Sequence, residues 1–423
     1  MADKKKVNEL EQTMQGCYGE TVTHEELVEF LDFNFGLNDR FEQAGTHRFA
    51  QCIWGHAGIG KTEQTKTFRK RPVEWRGKKY DGWDVRDVPI AQFEEMGDLH
   101  GIPSKCSLMK SADGKDERWV ADEHITDYKS EGWKIDIDVR PCTRMAAPDW
   151  VPIRPGPSIL LLDDWNRASV RIIKGIMQLL QNYGMVSWQL PPGCNIVLTG
   201  NPDEQDYMVT SIDNAILTRI KHVTLKPDAT EWAVWAEANK LDPRGINFIL
   251  HYPEMMLPHG EAKRSNPRTL AEFFRVSKCF PNVDADKKTL ALHAHSLLDE
   301  ETVAAWFVYV SREMEMVVEP EQILNGDKKS REHIEKLMDR KEPRTDILNV
   351  ICERLYARMV QADCETDKDR IKNFQTFITM KCIPEDTRHS LCRRIAKKRD
   401  NPAMQKWLIG SKELRDLIME TIR

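Results

Sequence analysis

Gly55-His-Ala-Gly-Ile-Gly-Lys61-Thr62 sets glycines, a lysine and a hydroxyl at the spacing GxxxxGK(S/T), directly after the apolar run Phe49–Trp54. Glycines there let backbone amides close on an anion, and a following helix turns its positive end to the same place. The chemistry this implies is phosphate binding. Gly55, His56, Ala57, Gly58, Ile59 and Gly60 form the cradle, Lys61 reaches the β- and γ-phosphates of ATP, and Thr62 offers its hydroxyl to Mg2+. The plain alternative is a structural glycine-rich turn.

Ile159-Leu-Leu-Leu-Asp163-Asp164 reads as a fully buried strand ending in acids, where an open α/β sheet binds ligands. Asp163 is expected to hold Mg2+ and Asp164 to polarise an attacking water. An aspartate is one methylene shorter than a glutamate, so its carboxylate falls roughly 1 Å short unless the backbone compensates. A solvated strand end is the other reading of the pair. Ile196-Val-Leu-Thr199-Gly-Asn201-Pro202 is a further strand, and Asn201 at its end is placed to orient water beside the γ-phosphate. Taken alone, Asn-Pro is a turn signal.

The elements that must position these groups are short apolar runs separated by helices. Phe49–Trp54, Val85–Ile90, Ile159–Leu162, Ile196–Thr199 and Ile220–Leu225 read as five buried parallel strands, with helices such as Ser169–Tyr183 between them. Residues 1–44 read as a helical segment in which Thr23 and Glu26 fit a capping box. The α/β core spans 45–227, with a polar insertion at about 104–157 in which Trp133–Val139 alternates like an exposed strand. An all-α lid is expected over 228–318, with helices at Glu231–Lys240, Thr269–Lys278 and Leu290–Met314, and a charged helical extension over 319–423.

Three ordered segments carry a resemblance. Asp163-Asp164-Trp-Asn166-Arg167-Ala168, then Gln178-Leu-Leu-Gln181 with Trp188-Gln-Leu-Pro191, then Gly200-Asn201-Pro202 look like the MoxR-like AAA+ pattern of D-E-x-N-(K/R)-A, a helix, a hairpin and G-N-P. Asp98-Leu99-His-Gly101-Ile-Pro103 is similar to that family's D-L-x-G-x-P segment, associated with its helix-2 insert. The resemblance covers about residues 45 to 310 and implies a five-stranded P-loop core, an all-α lid, ATP and Mg2+. It also implies a homo-oligomeric ring, usually of six, and remodelling of a partner protein, often one with a von Willebrand A domain. Two arginines carry over: Arg219 in Ile216-Leu-Thr-Arg219-Ile220 resembles an arginine finger, and Arg268 in Ser265-Asn-Pro267-Arg268-Thr-Leu270 resembles sensor 2. An arginine fixing its helix C-terminus and a solvated arginine at a helix start are the respective alternatives. Asp164 departs from the family's glutamate, which bears on hydrolysis rate rather than on binding.

The totals fit a soluble, cytosolic chain. Hydrophobic residues are 40%, charged residues 30%, and the formal charge of −5 provides no broad basic field for nucleic acid. No run reaches the length of a membrane span and no apolar leader opens the chain. Lys4-Lys5-Lys6 reads as a solvated start. The ten cysteines, scattered singly from Cys17 to Cys392, read as reduced thiols, and His293 with His295 diverge on a helix rather than forming a metal site.

Three functions fit the sequence. The first is an ATPase that remodels a partner, with the insertion and the Met185–Pro192 hairpin as working surfaces and Trp150, Tyr183 and Trp188 as either contacts or core. The second is a nucleic-acid motor, whose nearest basic patch is Thr67–Lys79, with Lys70, Arg71, Arg76, Lys78 and Lys79 around Trp75. The third is a nucleotide-gated scaffold with slow hydrolysis, motivated by Asp164.

Overall fold

The computed structural model describes residues 18–202, 212–257, 264–312, 317–361, 363–398 and 402–408, so Lys4-Lys5-Lys6 and Cys17 lie outside the described residues. The chain divides into two compact units, Met1–Lys226 and Pro227–Arg423.

In the first unit β1 (Glu20–Val22) leads into α1 (His24–Gln43), and β2 (Ala50–Trp54) into α2 (Lys61–Lys66). A hairpin of β3 (Val73–Trp75) and β4 (Lys78–Tyr80) precedes β5 (Asp84–Val88) and α3 (Met96–His100). The insertion follows, with β6 (Ile102–Lys110), β7 (Glu117–Ala121), α4 (Ile125–Ser130), β8 (Lys134–Ile135) and β9 (Cys142–Ala146). The chain returns through β10 (Ser158–Leu162), α5 (Val170–Asn182), β11 (Cys194–Gly200), α6 (Asn214–Leu217) and β12 (Ile220–Leu225).

The main sheet runs β1-β12-β2-β11-β10-β5, with every neighbouring pair parallel. It has six strands, one more than the expected five. The added strand, β1, lies in the stretch read as wholly helical and pairs Glu20 with Val223 and Val22 with Leu225. Thr23 and Glu26 do form the capping box that opens α1.

Alternate residues of the central strands enter opposite layers, as the two-residue strand period requires. Cys52, Trp54, Leu160, Leu162, Ile196 and Leu198 pack beneath Ile172, Ile176 and Leu179 of α5. Ile53, Ile159, Leu161 and Val197 pack with Leu27, Leu31 and Phe35 of α1. Both faces are covered, which is why these strands read as unbroken apolar runs.

The insertion is a small antiparallel sheet in which β6 pairs with β7, β8 and β9. Within the expected strand Trp133–Val139 only Lys134–Ile135 is paired, because Asp136 turns the chain by accepting the Asp138 N–H on its side chain.

The second unit is helical: α7 (Ala229–Ala238), α8 (Pro243–His251), α9 (Pro267–Ser277), α10 (Lys287–Leu297), α11 (Glu300–Arg312), α12 (Pro320–Leu324), α13 (Lys328–Met338), α14 (Thr345–Met359), α15 (Lys368–Ile378), α16 (Glu385–Lys397) and α17 (Pro402–Lys406). As far as Arg312 the expected helix Leu290–Met314 is two helices, because the chain extends at Leu298 and buried Asp299 accepts the N–H groups of Arg264 and Ser265; residues 313 and 314 lie outside the described residues. Arg354 of α14 is buried and donates to Asn247 Oδ1 at 2.6 Å, Pro243 O at 3.2 Å and Glu319 Oε2 at 2.9 Å. Among the described residues no helix is long and apolar enough to cross a membrane, and no group of three or more His, Cys, Asp or Glu side chains could hold a metal.

Candidate functional site

The loop between β2 and α2 owes its shape to its glycines. Gly55, Gly58 and Gly60 take φ of 146°, 79° and 97°. A Cβ at Gly55 would stand 2.5 Å from Ile59 Cδ1 and 2.7 Å from the Leu225 carbonyl oxygen, so only glycine fits. Lys61 is buried, and its Nζ donates to Gly55 O at 2.6 Å, His56 O at 2.9 Å and Asn201 Oδ1 at 3.0 Å. His24, at the start of α1, brings Nε2 to 3.0 Å from the Ile59 carbonyl and so ties the loop to the N-terminal helix. The helix after the loop is short. Thr65 and Thr67 bond their hydroxyls back to Lys61 O and Gln64 O, and α2 passes into a tighter turn at Thr67–Lys70.

Two further strand ends converge on this loop. β10 delivers Asp163, whose Oδ1 accepts the Thr62 hydroxyl at 2.6 Å and the Thr199 hydroxyl at 2.5 Å. Asp164 follows with φ 51° and ψ 38°, a left-handed backbone uncommon outside glycine. β11 lies between β2 and β10, so its exit carries Asn201 between Lys61 and Asp164. Asn201 Nδ2 donates to Asp164 Oδ1 at 2.8 Å, while Arg167 Nη1 stands 3.6 Å from Asp164 Oδ2. Buried Asn166 brackets the Asn201 backbone, donating to its carbonyl at 2.8 Å and accepting its N–H at 3.1 Å. Gly200 is required here too, since a Cβ would stand 2.6 Å from the Trp54 ring.

Lys61, Thr62, Asp163, Asp164 and Asn201 thus form one hydrogen-bonded set. A buried lysine beside a glycine-lined loop, with hydroxyl and carboxylate oxygens next to it, matches the donors that a triphosphate and a hard divalent cation require. Thr199, which bonds Asp163 and the Asp164 N–H, and Asn166, which bonds Asn201, join the set, and His24 joins the loop, although the sequence assigned them no role. Thr199 was visible only as a polar strand end and Asn166 only as a motif letter.

Each of the two arginines is engaged at its own helix. Arg219 hydrogen-bonds the Ala215 carbonyl at the end of its own helix, the geometry of an arginine that fixes a helix C-terminus. Arg268 belongs to the second unit, where it is exposed in the first turn of α9. Pro267 opens that helix, and Asn266 caps it by accepting the Arg268 and Thr269 N–H groups.

Trp54, the residue before the loop, donates Nε1–H to His222 Nδ1 at 3.0 Å, and His222 Nε2 lies 2.9 Å from Leu217 O. An acceptor Nδ1 and a donor Nε2 define the neutral ring, and burial holds the His222 pKa below its ordinary value.

The basic patch of Thr67–Lys79 is partly neutralised. Arg71 pairs with Asp32, Arg76 pairs with Asp39 at 3.0 Å and Glu42 at 2.7 Å, and Trp75 donates to Asp39 at 2.9 Å. Of the three candidate contact aromatics, Tyr183 is buried under Arg48. Trp150 and Trp188 pack edge to face, with their indole N–H groups on Asp98 O and His100 O.

No family model matches the sequence, and no curated protein matches it. Solved structures with a detectable likeness include a closed-state cryo-EM reconstruction of Hsp104 with ATPγS and FITC-casein, at 15% identity and a TM-score of 0.29. That match covers 56% of this chain, which spans about two fifths (39%) of the Hsp104 chain. A RuvB point mutant from Thermotoga maritima matches at 10% identity and a TM-score of 0.30, over 72% of this chain and 76% of that one. Likeness at this level assigns neither a family nor an activity.

Proposed function

We propose that the chain is a Mg2+-dependent ATPase of the MoxR-like AAA+ kind, which assembles as a homo-oligomeric, six-membered ring and remodels a partner protein. The observation that carries the reading is the convergence of Lys61, Asp163, Asp164 and Asn201 from three parallel strand exits onto one glycine loop. In this reading the amides of residues 55–62 and the Lys61 ammonium hold the phosphates, and Thr62 with Asp163 supplies oxygens to Mg2+. The cation, when bound, neutralises charge on the phosphoryl oxygens. Asp164 takes a proton from water that Asn201 orients. Arg219, from a neighbouring copy, meets charge building on the γ-phosphate, and Arg268 of the second unit couples the lid to nucleotide state. A trans-acting Arg219 is what makes the reading oligomeric. The client, on the resemblance alone, is a protein with a von Willebrand A domain.

The nucleic-acid motor is the weaker reading, since acids of α1 pair with Arg71 and Arg76 in its best basic patch. The decisive assay is phosphate release from ATP with Mg2+, run on wild type and Lys61→Ala, with and without DNA or RNA. Lys61-dependent release indifferent to nucleic acid is the expected result. Release unaffected by Lys61→Ala overturns the site, and steeply salt-dependent stimulation by DNA overturns the protein-remodelling reading.

A further inference from the structure

We infer that Thr199 is a positioning residue that sets both acids of the site at once and allows an aspartate to do the work of a longer glutamate. The inference rests on the ATPase reading above. Thr199 is fully buried on β11, and its single hydroxyl is used twice. It donates its proton to Asp163 Oδ1 at 2.5 Å and accepts the Asp164 backbone N–H at 2.9 Å. One proton and one lone pair account for both bonds, so the hydroxyl cannot turn elsewhere without breaking one of them.

Each bond has a separate consequence. Asp163 Oδ1 receives two hydroxyls, from Thr62 and Thr199, which fill the two acceptor directions of that oxygen. Oδ2 is left as the oxygen with capacity for a cation. At Asp164 the consequence is backbone shape. With φ at 51° the residue sits in a region that L side chains avoid, and surrounding contacts must hold it there. The bond from its N–H to Thr199 is such a contact. The left-handed turn brings the short carboxylate to Asn201, with Oδ1 2.8 Å from Nδ2. Thr199 and Asn201 leave the same strand two residues apart, so β11 fixes the backbone of Asp164 with one and its carboxylate with the other.

The experiment compares Thr199→Val, which keeps shape and loses the hydroxyl, with Thr199→Ser, which keeps the hydroxyl. Thr199→Ala serves as a second hydroxyl-free variant should valine not fold. Each is measured for melting temperature, ATP Kd with and without Mg2+, the Mg2+ dependence of turnover, and kcat against KM. The hydroxyl-free variants should keep the Mg2+-free Kd within about 3-fold and lose about 10- to 100-fold in kcat, the range for a group that orients a metal ligand. They should also need more Mg2+, and Thr199→Ser should stay within about 3-fold of wild type on the same scale. A glutamate reaches further without the left-handed turn, so in an Asp164→Glu background the kcat loss should shrink while the Mg2+ shift persists.

Equal losses for valine and serine overturn the inference, as do wild-type kinetics for valine or a kcat loss of the same size in both backgrounds. An active wild type with an unaffected valine variant refutes Thr199 alone. A wild type that neither binds nor hydrolyses ATP refutes the ATPase reading and this inference with it.

Discussion

Asn201 donates its Nδ2–H to Asp164 Oδ1 over 2.8 Å, joining the exits of β11 and β10 through one amide. The other end of that amide accepts from Lys61 Nζ at 3.0 Å, so both faces of the Asn201 side chain are committed. A single residue thus links the cation of the loop to the acid expected to activate water, and Asn166 holds its backbone from both sides.

Asp164→Asn should retain ATP affinity within about 3-fold and lower turnover about 100-fold or more, the scale of a lost general base. Asn201→Ala should lower turnover by about 100- to 1,000-fold. Steady-state phosphate release beside nucleotide titration separates the two effects. Wild-type turnover near 1 per second or above, within the ordinary enzyme range, removes the slow-scaffold reading.

Gly55→Ala should destabilise the chain by about 2 kcal/mol or more, because it adds left-handed strain and a collision with Ile59 and the Leu225 carbonyl. Gly77→Ala is the control: φ is 76° but nothing lies within 4 Å, so only strain of about 1 kcal/mol is expected. Denaturant or thermal unfolding of both variants distinguishes crowding from strain. Equal losses would contradict the packing account of Gly55.

The order of the candidate site was legible because Asp163, Asp164 and Asn201 follow the ends of apolar runs and the glycine loop follows another, and buried parallel strands announce themselves as such runs. Thr199 and Asn166 were not legible. Their partners, Asp163 and Asn201, lie some 35 residues away in the chain and meet them only through the strand order. β1 escaped notice for a related reason: three residues carry no periodicity, and Glu20–Val22 is a strand only because β12 offers it an edge. The break at Leu298–Asp299 was hidden because the Asp299 carboxylate serves backbone groups of residues 264 and 265.

Arg219→Ala should leave ATP affinity intact and lower turnover by about 1,000-fold, the scale of a trans arginine. Its bond to Ala215 O is a partly exposed helix-end contact, so the melting temperature should barely move. Mixing Arg219→Ala with Lys61→Ala should restore some activity, since a shared site needs one residue from each copy. Unchanged turnover in Arg219→Ala would leave the residue as a helix anchor only.

His222 makes stability depend on pH. Burial lowers its pKa in the folded chain, so below about 6.5, the ordinary histidine value, the unfolded state binds the extra proton first. The contribution is therefore complete above that value and declines as pH falls through the folded pKa, when Trp54 loses its acceptor. Melting curves from pH 7.5 to 5.0 should show a decline that is shallower in His222→Gln. An identical slope in the two proteins would remove His222 as its source.

The proposed function requires that residues 55–62 bind ATP. Calorimetric titration of ATP with Mg2+ into wild type and Lys61→Ala, at matched folding by thermal melt, tests it most directly. Saturable binding of one nucleotide per chain is expected, weakened at least 10-fold in Lys61→Ala, the order for a lost charge-assisted contact. Equal affinity in the two folded proteins, or no binding by wild type, would contradict it.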